Sequence, residues 1–68
     1  MAQKQAQDAY KQFMGYLARL YRTGLTMAQI AQELGVHERT IYKWTSKQRK
    51  VGPLLLLAIE RVVQQKGA

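Results

Sequence analysis

Single glycines interrupt apolar stretches of helical spacing, and the break at Gly35 constrains this chain most. On one side lies Thr26-Met27-Ala28-Gln29-Ile30-Ala31-Gln32-Glu33-Leu34, with Ile30, Ala31 and Leu34 sharing a face. On the other lies His37 to Ser46, in which Ile41 and Trp44 share a face. Only Val36 separates Gly35 from that second stretch. Two short helices joined so tightly must cross steeply, with their apolar faces against each other. Gly35 can take the positive φ such a turn needs, Val36 seals the turn, and Ala31 is small enough for the helices to approach closely.

The remaining punctuation, at Gly24, Gly52-Pro53 and Gly67, gives four segments, none alternating like a strand. The spacing predicts a first helix over Asp8–Thr23, with Tyr10, Phe13, Met14, Leu17, Leu20 and Tyr21 as its apolar stripe. Gly15 interrupts it at about 1 kcal/mol relative to Ala, a cost that a close helix approach would explain. Thr26 is a good N-cap for the second helix, able to accept from the backbone N–H of Gln29. The third helix begins near His37 and ends at Thr45 to Lys47. The fourth has Gly52 as N-cap and Pro53 at its first position, where the missing N–H costs nothing, and runs to about Lys66. The fold class is therefore all-α, one domain over residues 1–68.

Four helices in 68 residues make a small core. A chain of this size buries only about 60 % of its unfolded surface, and with no cysteine it has neither disulfides nor a cysteine-rich zinc module to stiffen it. The fourth helix offers more apolar surface than one face can bury. Leu55, Leu56, Ile59, Val62 and Val63 form a broad face that Leu54 and Ala58 extend, while Leu57 points away from its centre. One side can cover the core, and the rest calls for a partner. A second copy is the simplest, so helix 53–66 is expected to be a dimerisation helix, with Leu54, Leu55, Leu57, Ala58, Arg61 and Val62 at the interface.

Eleven Lys and Arg against four Asp and Glu give +7, a balance suited to a polyanion, either nucleic acid or an anionic membrane surface. The longest apolar run, Leu54–Ile59, is far below the ~20 residues of a membrane span. Met1–Lys11 is polar and Gln-rich, unlike a secretory signal. A cytoplasmic protein is expected, without a membrane partner. With one His, one Ser, one Asp and no Cys, no catalytic constellation can be assembled. The Gly35 turn separates Glu33 from His37, so no metal pair forms there. Neither enzymatic activity nor a cofactor is expected.

The pattern Ile30-Ala31, Leu34-Gly35-Val36, Thr40-Ile41 and Trp44 resembles the helix-turn-helix of bacterial and phage regulators of the Cro/repressor type. That group includes small autorepressors encoded beside anti-CRISPR genes, and its short phage-borne members also carry a Leu-rich final helix after Gly-Pro. The motif spans residues 26–46. His37 departs from the pattern, which often has Ser or Thr there. It is a poorer cap and is left free to face DNA.

The resemblance implies a sequence-specific regulator of transcription, a repressor that binds an inverted-repeat operator in double-stranded DNA as a homodimer. The third helix would enter the major groove. His37, Glu38, Arg39, Tyr42, Lys43 and Ser46 would face base edges, with Arg39 suited to a bidentate bond to guanine. Phosphates would fall to Thr26 and Gln29 at the start of the second helix, to Thr40, and to the basic segment Lys47, Arg49 and Lys50. Between Glu38 and Lys50 five basic residues stand against one acidic, so binding should depend steeply on salt. The same motif would also serve a phage terminase, recombinase or excisionase-type machine. An interaction or membrane-surface module is a third reading. RNA stays open as a partner, although no aromatic stacking platform is visible.

Overall fold

The computed structural model describes residues 2–68, with side chains described from Ala9 onward. These residues form four helices: α1 (Ala2–Arg22), α2 (Met27–Leu34), α3 (Glu38–Thr45) and α4 (Pro53–Lys66). The order and type of the elements match the expectation from periodicity. The start of α1 does not, because the helix begins at Ala2, well before Asp8. The preceding residues, Ala-Gln-Lys-Gln-Ala-Gln, are nearly all strong helix formers, so a turn without apolar periodicity can still extend a helix.

One core ties the four helices together. Phe13, Leu17 and Leu20 of α1 meet Ile30 and Ala31 of α2, Ile41 of α3, and Ile59, Val62 and Val63 of α4. α1 packs chiefly on α4, and α2 packs on both α3 and α4. Phe13, Leu20, Ile30, Ile41 and Ile59 are fully buried, each contributing roughly 1.5–3 kcal/mol through its removal from water. Trp44 is half-buried, its ring edge-on to Phe13 at a centroid distance of 5.7 Å and an interplanar angle of 70°. Such a pair adds about 0.5–1.5 kcal/mol beyond burial. Among the described side chains, no buried polar atom lacks a partner.

All four helices stop in the same way. After α1, Gly24 N–H bonds the Tyr21 carbonyl and Leu25 N–H reaches back to Leu20; Gly35 and Val36 repeat this on Gln32 and Ala31, and Gly67 and Ala68 on Gln64 and Val63. This paired closure needs one residue in the left-handed region, and Gly35 supplies it at φ 73°. α3 closes identically, with Lys47 N–H on Trp44 and Gln48 N–H on Lys43, but its left-handed residue is Lys47 at φ 64°. The sequence carries no glycine to announce that turn.

Three expectations change. Gly15 has nothing within 4 Å of where a Cβ would stand, so no close helix approach explains it. Tyr21 leaves the apolar stripe and is 42 % exposed. The broad face of α4 is largely absorbed by the chain's own core. Val62 is only 4 % exposed and is corrected from interface to core, because α1 packs along that side of α4. Leu55, Leu56 and Ala58 are half-buried, and the large apolar surface left outward on α4 is Leu54 at 80 % and Leu57 at 59 % exposure. Among the described residues, no helix is long and apolar enough to cross a membrane.

Candidate nucleic-acid interface

α3 is anchored by Ile41, which is 0 % exposed, and by the contact of Trp44 with Phe13. Because α3 turns every 3.6 residues, fixing those two positions sends Glu38, Arg39, Tyr42 and Lys43 outward, and all four are exposed. Ser46 follows the helix, exposed, its hydroxyl donating to the Lys43 carbonyl at 3.3 Å. Thr40 is half-buried at the flank.

The start of α3 corrects the reading of His37. Its ring is not idle: Nδ1 accepts from the Arg39 N–H at 3.1 Å, making the imidazole the N-cap. With Nδ1 accepting, the ring presents its other nitrogen outward. A neutral imidazole in that tautomer offers a donor at Nε2, suited to an acceptor such as guanine N7 or a phosphate oxygen.

α2 begins beside this surface with a complete capping box. The Thr26 hydroxyl accepts from Gln29 N–H at 3.2 Å, and the Gln29 side-chain oxygen accepts from Thr26 N–H at 2.8 Å. The box locks both side chains while leaving the Thr26 hydroxyl proton and the Gln29 amide donors free for a phosphate at the helix N-terminus.

The charge on this side is uncompensated. Arg39, Lys43, Lys47, Arg49 and Lys50 are all exposed. Among the described side chains the one ion pair is Lys66–Glu33 at 3.4 Å, linking α4 to α2 and involving none of these cations. Among the described residues, no group of three His, Cys, Asp or Glu is placed to hold a metal ion.

A comparison with family models matches residues 16–54, more than half of the chain, to the homeodomain-like domain. The chain belongs to the homeodomain-like helix-turn-helix family. The matched segment holds the last third of α1, all of α2 and α3, and the first residues of α4, so it contains both the turn at Gly35 and the outward face of α3. This homeodomain-like protein is thus a small all-helical DNA-binding protein. No curated protein and no solved structure matches it.

Periodicity marks Tyr10 and Tyr21 only as part of the apolar stripe of α1, whereas the structure gives both hydroxyls a partner beside the site. Tyr21, at the end of α1, donates to Met27 Sδ at 3.4 Å. Partial desolvation holds its phenol above the ordinary value of 10.0, and the neighbouring Tyr42 raises it further. Tyr10, on α1, reaches the end of α3 directly: its hydroxyl donates to the Thr45 carbonyl at 2.9 Å.

Proposed function

We propose that this homeodomain-like protein is a sequence-specific regulator of transcription, a repressor that binds an inverted-repeat operator as a homodimer. The observation that carries the reading is the split of α3, which buries Ile41 completely while Glu38, Arg39, Tyr42 and Lys43 stand exposed beside uncompensated cations. A polar rod so held fits the major groove, its N-terminal residues against base edges. Arg39 bonds guanine O6 and N7, Glu38 accepts from a cytosine amine, and His37 donates from Nε2. Tyr42, Lys43 and Ser46 complete the base-facing side. Thr26, Gln29 and Thr40 hold the adjoining phosphates, and Lys47, Arg49 and Lys50 hold those beyond the end of α3.

Dimerisation runs through the outward side of α4, where Leu54 and Leu57 lie exposed with Leu55, Ala58 and Arg61 around them. A two-fold pair would set its recognition helices about 34 Å apart, one turn of the duplex. The resemblance to phage and bacterial regulators of the Cro/repressor type supports a bacterial cytoplasmic setting and an operator at the gene's own promoter.

Selection of bound duplexes from a random pool tests the proposal, followed by affinity measurements over a salt series. The wild-type chain is expected to enrich a two-fold-symmetric sequence. Arg39→Ala should cost about 1–3 kcal/mol and relax one base position per half-site, whereas Lys50→Ala should weaken all duplexes alike and reduce the salt slope by about 0.9 per half-site. Failure to enrich any sequence would overturn sequence-specific regulation. Uniform loss in both variants would overturn the division of roles.

A further inference from the structure

Among the described side chains, one hydrogen bond joins residues far apart in sequence, and it ends on the recognition helix. Tyr10 of α1 donates its hydroxyl proton to the carbonyl of Thr45, the last residue of α3, at 2.9 Å. The same ring faces a cation, with Lys47 Nζ 4.7 Å from its centroid. One turn further along α1, Phe13 holds Trp44 edge-on. α1 therefore touches the end of α3 at Trp44, Thr45 and Lys47.

Each contact meets a physical need. The last carbonyls of a helix have no partner within it. Lys43 O is taken by Gln48 N–H at 2.8 Å and Arg49 N–H at 3.1 Å, and Trp44 O by Lys47 N–H at 3.2 Å. Thr45 O is served by Tyr10. Lys47 also carries a Cβ into the left-handed region, a strained conformation for an L residue, where the other three helix ends have glycine. The attraction of a cation to the face of an aromatic ring offsets part of that strain. The basic residues Lys47, Arg49 and Lys50 follow this turn directly, so its geometry decides where they point.

We propose that Tyr10 is a positioning residue for DNA binding. It does not touch the duplex; it pins the end of α3 and aims the segment Lys47–Lys50 along the phosphates. Ordering that segment during folding removes an entropic cost from association. The inference rests on DNA binding by α3 as proposed above, but the latch itself is a property of the free protein. Tyr10 and Phe13 both precede the segment 16–54 that matches the family, so the device lies in the part of α1 outside it.

Two variants separate the latch from the fold. Tyr10→Phe keeps the ring and removes the hydroxyl; Tyr10→Leu removes both. Amide exchange in the DNA-free protein, at a temperature where circular dichroism shows each variant folded, reads the latch directly. Gln48 and Arg49 should exchange severalfold faster in Tyr10→Leu, and the ring-current shift of the Lys47 side chain should vanish, while Tyr10→Phe keeps that shift. Against the duplex selected by the wild-type chain, Tyr10→Phe should bind about 2- to 5-fold more weakly with the same salt slope. Tyr10→Leu should bind about 10-fold more weakly, with a slope smaller by about 0.9 per half-site, the loss of one phosphate contact. Unchanged exchange and an unchanged Lys47 shift in Tyr10→Leu would overturn the latch whether or not DNA is bound. Wild-type affinity and slope in that variant would overturn its positioning role.

Discussion

Replacing one hydrogen by a methyl group should have opposite signs at two glycines of this chain, and the structure supplies both magnitudes. At Gly15 and at Gly35 a Cβ would meet nothing within 4 Å, so sterics with neighbours drop out and only backbone conformation remains. Gly15 is an exposed position inside α1. Alanine there should stabilise by about 0.8–1.0 kcal/mol, the full helix propensity difference. Gly35 sits at φ 73° in the turn between α2 and α3. A Cβ costs roughly 1–2 kcal/mol in that region, and the restricted unfolded chain returns about 0.4–1 kcal/mol. The net loss is on the order of 1 kcal/mol. The two variants should therefore differ by about 2 kcal/mol, and for a domain of this size their melting temperatures should lie roughly 8–16 °C apart. Thermal melts by circular dichroism, at one protein concentration so that self-association does not enter, make the comparison. A Gly35→Ala protein melting at or above Gly15→Ala would refute the reasoning, because it would mean that the turn does not require the left-handed conformation.

Three further outcomes follow from other parts of the molecule. Leu54→Ser with Leu57→Ser removes the large exposed apolar side chains of α4 while sparing Ile59, Val62 and Val63, so sedimentation should show a monomer that still melts cooperatively; a dimer of wild-type affinity would place the interface elsewhere. His37→Ser exchanges the imidazole cap for a hydroxyl that caps at least as well, so stability should hold or rise by about 0.5 kcal/mol while affinity for the selected duplex falls; an equal loss of both would mean that His37 serves only the fold. For Tyr21 the sign follows from its raised folded-state pKa. Its contribution to stability is complete below the ordinary 10.0 and is lost as pH climbs through the higher folded value. The ultraviolet tyrosinate titration should therefore lose a late-ionising component in Tyr21→Phe, and retention of that component would assign it to another tyrosine.

Much of the architecture is local and so was legible in the chain. Thr26 and Gln29 form their capping box within four residues, Gly52-Pro53 opens α4, and Gly35 closes α2, each through bonds that span one helical turn. The buried face of α3 followed from the spacing of Ile41 and Trp44, and its exposed face from what was left over. The start of α1 was missed because a run of good helix formers needs no apolar stripe to continue a helix. The Lys47 turn was missed because its left-handed residue is not a glycine, and nothing in the local sequence marks a lysine for that conformation.

Periodicity and turn chemistry in this sequence determined the helices, the tight turn and the identity of the outward residues on α3, since these depend on neighbours within a few positions. Only the tertiary structure decided how far α4 spends its apolar surface on its own core, which put Val62 inside and left Leu54 and Leu57 outside. It alone brought Tyr10 to Thr45 and Lys47, and Tyr21 to Met27 and Tyr42. Such contacts depend on how α1 lies across the other helices, and the packing of the whole core sets that placement.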